Sequence, residues 1–370
     1  MEYIRLSDCS KYSSLRTKNI TAENYISTEN MLPDKGGIVG IESIPDVKSA
    51  SKYEINDILL SNIRPYFKKI WHANCEGSCS NDVLVVKTTA GYSSKFVYYV
   101  LCDNNFFNYA TVTAKGTKMP RGSKDAIMKY LVPRLDIDTQ ERIASILSTY
   151  DDLIENNNRR IRILEQMAEN LYKEWFVRFR FPGHEQAEFE NGIPKGWRVK
   201  SIGSICKIIT GTKDANEATG YGDFPFFTCA RETSVYTDEY LLDTNAIIIA
   251  GNGSFTGFVK KYSGKFDLYQ RTYALFDFRD IGWLYVYWSM KIEFEREFMG
   301  GARGSAIPYI TKPNIERFKI IVPTKQCLEL AVSFFDKIHK ECLLLQRTNR
   351  NLIKQRDMLL PRLMSGKLEV

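Results

Sequence analysis

The chain has few of the residues, and none of the patterns, that most catalytic or membrane-spanning proteins need. Only three histidines occur in 370 residues, His72, His184 and His339, far apart and without an H-E-x-x-H pair. There is no G-x-x-x-x-G-K-[ST] sequence and no glycine-rich fingerprint at a strand-to-helix turn, so neither common phosphate cradle is encoded. The Asn-Pro-Pro-aromatic and Asp-Pro-Pro-aromatic catalytic tetrads are missing too. The sequence therefore reads as catalytically empty. No run approaches the roughly 18 apolar residues of a membrane span; Ala246-Ile247-Ile248-Ile249-Ala250 is of strand length. The N-terminus lacks a charged-then-apolar leader, which leads us to expect a soluble, cytoplasmic protein with no membrane partner.

Low-complexity segments and basic tails are also lacking. Residues 1–139 carry 18 Lys/Arg against 15 Asp/Glu, residues 140–180 carry 7 against 7, residues 181–324 carry 17 against 17, and residues 325–370 carry 9 against 5. With a net charge of +7, any nucleic-acid surface has to be a folded face rather than a tail. The eight cysteines are scattered and read as small apolar core residues of a reducing compartment. His72, Cys75 and Cys79, with Cys102 downstream, are the nearest approach to a zinc set, and no fourth ligand has clear spacing.

What is present is duplication. Two stretches place mainly apolar residues in a strict 4-3 alternation, whose mean of 3.5 is the period of a coiled-coil seam. The first runs through Ile143, Leu147, Tyr150, Ile154, Asn157, Ile161, Leu164, Ala168, Leu171 and Trp175. The second runs through Leu328, Ala331, Phe335, Ile338, Cys342, Leu345, Asn349, Leu352, Arg356, Leu359 and Leu363. At an offset of 188, Leu164 falls on Leu352 and Leu171 on Leu359; at 190, Leu131-Val132-Pro133 falls on Ile321-Val322-Pro323.

Ahead of each seam lies a mixed segment of short apolar runs and turn signals. Ile58-Leu59-Leu60 corresponds in position to Ala246–Ala250, and Leu6–Cys9 resembles Ile202–Cys206. Asp138, followed three residues later by Glu141, is the expected N-cap of the first long helix, which should run to about Arg178. Pro182-Gly183 breaks it, and Pro361 should stop the second. The expected fold class is α+β, with two similar mixed α/β domains separated by two long antiparallel coiled-coil helices and related by an internal pseudo-two-fold axis. The segments are 1–139, helix 140–180, linker 181–192, 193–324 and helix 325–370. A helix of about 33 residues spans roughly 50 Å. Alternatively, each helix packs only on its own globular half.

Several of these stretches resemble the specificity subunits of type I restriction-modification systems. Gln140-Glu141-Arg142-Ile143-Ala144 through Leu153-Ile154-Glu155-Asn156-Asn157 is similar to the family's central conserved region, as is Leu164-Glu165-Gln166-Met167-Ala168 through Trp175-Phe176 with Phe181-Pro182-Gly183. Ile193-Pro194-Lys195-Gly196-Trp197 resembles the opening of its second recognition domain, and Arg356-Asp357-Met358-Leu359-Leu360-Pro361-Arg362-Leu363-Met364-Ser365-Gly366 its C-terminal helix. The first half has no such opening motif. The resemblance implies a non-catalytic subunit with two target-recognition domains, each reading one half of a bipartite double-stranded DNA site. It implies two modification (methyltransferase) subunits and restriction/translocase subunits as partners. S-adenosylmethionine, ATP and Mg belong to those partners, with no cofactor in this chain. In such a bacterial defence enzyme the helices would set the half-site separation. Half-sites one helical turn apart, roughly 34–36 Å, present the same face of the duplex.

Candidate DNA contacts follow from residue chemistry. Arg bridges guanine and Asn or Gln pairs with adenine, whereas Lys mostly neutralises phosphate. In the first half, Asn62, Arg64, Lys68 and Lys69 lie in Asn-Ile-Arg-Pro-Tyr-Phe-Lys-Lys directly after a strand, and Lys115, Lys118, Arg121 and Lys124 lie in a glycine-containing loop. In the second half the candidates are Lys213, Asn252, Lys260, Lys261, Gln270, Arg271 and Arg303. For each, a solvated strand end or ordinary turn chemistry is the competing explanation. At the level of function the competitor is a protein-interaction scaffold built on the coiled coil. A zinc-dependent hydrolase built on Cys75 and Cys79 is a third reading.

Overall fold

The computed structural model describes residues 2–40, 47–214, 217, 222–231, 235–299 and 309–368. It divides into two compact units, Met1–Asn158 with Gln346–Val370, and Arg159–Leu345. Both long helices are thus shared between units, instead of forming segments of their own.

In the first unit, β1 (Tyr3–Arg5), α1 (Leu6–Cys9), β2 (Ser10–Tyr12), β3 (Arg16–Thr17), β4 (Tyr25–Ile26), β5 (Ala50–Tyr53), β6 (Ile58–Ser61), β7 (Ile70–His72), β8 (Gly77–Cys79) and β9 (Val83–Thr88) precede three short helices. These are α2 (Ser94–Cys102), α3 (Asn104–Val112) and α4 (Lys124–Met128). β10 (Leu131–Pro133) pairs with β1 and leads into α5 (Ile137–Tyr172). One sheet has the order β2-β9-β6-β7 and another β3-β5-β8-β4. β6 is buried at all four positions, as a central strand covered on both faces must be. Phe96, Val100, Phe106 and Phe107 pack over it with Ile143 and Leu147 of α5.

The second unit repeats this plan. After a small hairpin, β11 (Phe189–Glu190) and β12 (Ile193–Pro194), come β13 (Arg198–Ser201), β14 (Lys207–Thr210), β15 (Phe224–Phe227), β16 (Tyr236–Thr237), β17 (Leu242–Ala250), β18 (Val259–Leu268) and β19 (Thr272–Phe276). Then follow α6 (Trp283–Ser289), α7 (Glu295–Phe298), α8 (Lys312–Arg317), β20 (Lys319–Val322) and α9 (Lys325–Met364). The order β14-β19-β17-β18 matches β2-β9-β6-β7, and β13–β20 matches β1–β10. Backbone contacts repeat as well. Leu6 N–H donates to Tyr130 C=O at 2.8 Å, and Ile202 N–H to Phe318 C=O at 2.9 Å. The opening motif earns its place through packing, since Trp197 is buried among Phe176, Phe179 and Phe181.

Every seam position is buried or half-buried. Within the first unit the α5 and α9 segments are antiparallel, with Asn157 on Asn349 and Asp151 on Arg356. Within the second, Arg160 pairs with Glu341 at 3.0 Å in the same sense. Two expectations about helix ends are corrected. The N-terminal cap of α5 is Asp136, not Asp138: its Oδ1 accepts from Thr139 N–H at 2.9 Å, satisfying an orphan donor of the first turn. Pro361 lies inside α9, which continues to Met364. A proline here forfeits the bond its own N–H would have made and crowds the carbonyl one turn back, a cost offset by Leu360, Leu363 and Met364, which are buried in the core and hold the last turn.

Candidate nucleic-acid interface

The two loops picked out in the first half form one structure. Asn62 leaves β6 and donates its N–H to Asp82 C=O at 2.8 Å; its own C=O accepts from Gly122 N–H at 2.9 Å. Arg64 N–H donates to Pro120 C=O at 2.8 Å, and Lys115 and Arg121 exchange backbone hydrogen bonds of 2.8 and 2.9 Å. The closed Lys115–Arg121 loop, with Gly116 in the left-handed region, is thereby laid beside the Arg64–Lys68 turn. That turn is strained: Arg64 (φ 49°) and Lys68 (φ 52°) flank the short 3-10 segment Pro65–Phe67. Left-handed non-glycine residues cost energy and concentrate where the surroundings enforce them.

The second unit builds the same backbone frame. Gly251 leaves β17, donates to Arg271 C=O at 2.9 Å and accepts from Ile310 N–H at 2.7 Å. Asn252 bridges Tyr309 as Ile63 bridges Arg121. Ser123 caps α4, and Thr311 caps α8 in the matching place. Gln270 N–H donates to Lys213 C=O at 3.0 Å, so Lys213, Asn252, Gln270 and Arg271 converge. Glycine is required here because a Cβ on Gly211 would lie 1.8 Å from Leu268 O, and one on Gly251 2.4 Å from Arg271 O.

The side chains differ in how they are engaged. Lys115, Lys118, Arg121 and Lys124 are exposed, and Arg121 pairs with Asp82 at 3.0 Å. Lys68 Nζ donates to Asn104 Oδ1 at 3.0 Å and Lys69 Nζ to Thr28 C=O at 2.6 Å. Asn62 is buried, and among the described residues its Oδ1 and the Arg64 Nε have no hydrogen-bond partner. Lys213 compensates the buried Asp267 at 2.8 Å. Lys260 donates to Ala230 C=O at 2.8 Å and sits over Phe227.

Lys261 is separated from this group. Strand alternation turns it to the opposite face from Lys260, where its ammonium meets Glu165 at 2.7 Å and lies over Tyr287 and Trp288. Arg303 lies outside the described residues. Sequence reading missed Tyr309, which is 70% exposed at the Arg121-equivalent position, and Asp82, the partner of both Asn62 and Arg121. Only the 188-residue offset carried a signal for them.

The cysteine-histidine set goes elsewhere. His72 Nε2 is 3.0 Å from Ser94 Oγ, and Cys75 faces the Tyr53 hydroxyl. Burial pushes the Cys79 thiol up to about 12, far from a thiolate ligand at neutral pH. Among the described residues no three His, Cys, Asp or Glu side chains gather as a metal-holding group, and no helix is long and apolar enough to cross a membrane.

Fold and site define a duplicated α+β protein that carries two equivalent strand-end loop frames and a pair of seamed helices. Residues 194–355 match the family model of the type I restriction modification DNA specificity domain. The type I restriction enzyme EcoDI specificity subunit of Escherichia coli is 39% identical over 132 residues, covering 36% of this chain and 29% of that protein. The MjaIX specificity subunit of Methanocaldococcus jannaschii is 26% identical over 306 residues, covering 76% and 70%. The crystal structure of a type I restriction-modification S subunit from M. genitalium superposes with a TM-score of 0.57 at 15% identity, over 98% of this chain and 96% of that one, a likeness of fold. Residues 194–355 are thus similar to that specificity domain, and both relatives are type I restriction enzyme specificity subunits. The EcoDI match spans less than a third of that relative's length.

Proposed function

We propose that this chain is the non-catalytic, sequence-reading subunit of a type I restriction-modification enzyme, and that each unit reads one half of a bipartite duplex DNA site. The observation that carries this is the twin backbone frame, Asn62–Gly122 in one unit and Gly251–Ile310 in the other. Each frame fixes exposed polar and cationic loops at strand ends. In this reading residues 1–139 and 193–324 are the recognition domains. Arg64, Asn252, Gln270 and Arg271 supply base-reading chemistry, the buried Asn62 holds the frame behind Arg64, and Lys115, Lys118 and Lys124 supply phosphate contacts. The seamed helices set the unread spacer and receive two modification subunits. Restriction/translocase subunits join that complex in the cytoplasm. S-adenosylmethionine, ATP and Mg act on those partners.

Mapping methylated adenines genome-wide with and without this gene is the test. The expected result is a motif of two short blocks separated by a fixed unread gap, lost on deletion. A contiguous motif, or no change, would overturn the reading. Shortening both seams by a matched heptad should change the gap and leave both half-sequences intact.

A further inference from the structure

The exposed aromatic pair Tyr66–Phe67 stands out on the first unit's loop cluster. Tyr66 is 47% exposed and Phe67 38%, with ring centroids 4.7 Å apart. They sit on the strained turn between Arg64 and Lys68, whose Arg64 N–H is bonded to Pro120 C=O in the loop that carries the exposed cations Lys118 and Arg121. Exposed apolar side chains on a soluble domain call for explanation when they cluster, and here the backbone beneath them is pinned on both sides. Arg64 N–H is held by Pro120; on the other side Asp34 and Lys35 N–H donate to Phe67 and Lys68 C=O, both at 2.9 Å. Lys35 is anchored in turn, its ammonium 3.1 Å from Asp357 of α9 with only 6% of the side chain exposed. A floppy loop would bury these rings against its own surface; this one is braced to hold them outward.

We propose that Tyr66, backed by Phe67, is a wedge that inserts against the stacked bases of the duplex in the first half-site. The assignment rests on the DNA-reading function proposed above and names how one half is engaged. Aromatic or apolar wedges amid cations unstack base steps and give specificity through deformability. The matching turn of the second unit carries Phe255, which is half-buried and faces Phe258 at 6.4 Å. The wedge therefore belongs to the first unit.

The test uses the full chain with its modification subunits and a duplex bearing the motif mapped by methylation, with 2-aminopurine placed singly along each half. Wild type should raise 2-aminopurine fluorescence several-fold at one step of the first half. Tyr66→Ala should abolish that rise and weaken binding roughly tenfold, with the thermal midpoint and the second-half signal unchanged. Tyr66→Phe should keep both the rise and the affinity. Tight binding without a first-half rise would overturn the wedge while leaving DNA recognition standing. So would an unaffected Tyr66→Ala variant, a Tyr66→Phe variant as weak as Tyr66→Ala, or equal affinity for the single strand. Absence of any bipartite motif would instead remove the underlying function.

Discussion

Asn157 donates from Nδ2 to Asn349 Oδ1 at 2.8 Å, and Asn349 passes its own Nδ2 to Asn158 Oδ1 at 2.9 Å. Two amides at opposed seam positions satisfy each other only in one register, since a slip of one heptad would part them, setting Asn157 against Arg356 or Cys342 and Asn349 against Leu164 or Tyr150. Replacing Asn349 alone by Leu strands the Asn157 amide and should cost about 1–2 kcal/mol. The double replacement Asn157→Leu/Asn349→Leu should recover or exceed wild-type stability. Chemical unfolding of wild type and the two variants checks this, and a double variant less stable than the single one would refute it.

A buried charge chain ties the first unit's loops to α9. Arg356, with 12% of its side chain exposed, pairs with Asp151 and with Asp357, the latter at 2.8 Å, and Lys35 completes the chain. Burial opposes ionisation of Asp357, yet the Arg356 and Lys35 charges hold its carboxyl below the ordinary range. Arg356→Met leaves Asp151 without its cation and Asp357 with Lys35 alone, and should cost about 3 kcal/mol. Because the Asp357 shift is downward, its contribution is present above pH 4 and fades as pH falls through the folded-state value. Urea midpoints at pH 7 and pH 3 for wild type and variant should converge on acidification.

Two histidines give the chain an acid-side sensitivity at higher pH. Burial first, and then Lys95 beside His72 and Lys261 beside His339, lower both imidazoles from 6.5 to about 4. Between those values the unfolded chain binds more protons, so stability should fall as pH drops from 6.5 towards 4. His72→Phe and His339→Phe should each flatten that slope in unfolding experiments. An unchanged slope in both would show that neither histidine is responsible.

Glycine sensitivity should be sharply local. Gly211→Ala places a methyl group 1.8 Å from Leu268 O, against backbone that cannot turn aside, and should cost more than about 3 kcal/mol. Gly253 has a left-handed φ of 82° but open space around its Cβ position, so Gly253→Ala should cost only about 1 kcal/mol. Thermal melts of the two variants decide it.

Lys115 and Lys118 lie on the exposed loop closed by Lys115 and Arg121. Replacing both by Ala should weaken binding to the mapped duplex evenly across sequences. It should also lower the slope of log affinity against log salt by about 2. A changed base preference in one half, with the salt slope intact, would assign these lysines to base reading instead.

Much of the architecture was legible from periodicity. A 4-3 seam is a property of side-chain order alone, and so is the 188-residue offset that announces two equivalent units. Helix ends were less legible: Asp136 outcompetes Asp138 as the cap by one geometrically favourable hydrogen bond, and Pro361 is tolerated because neighbouring core contacts hold its turn. In sequence the loops read as two separate cationic stretches in the first half and as scattered candidates, Lys213, Asn252, Lys260, Lys261, Gln270, Arg271 and Arg303, in the second. Only tertiary structure could join them, because Asn62 meets Gly122 and Gly251 meets Ile310 through backbone groups that every sequence possesses. The same holds for the lysines. Lys260 and Lys261 are chemically alike and adjacent, yet strand pleating sends one to the loop-bearing face and the other to Glu165. The sequence by itself determined the duplication, the helical seams and the residue types available for recognition. The fold decided which of those residues face outward together, since that depends on hydrogen-bond partners distant in the chain.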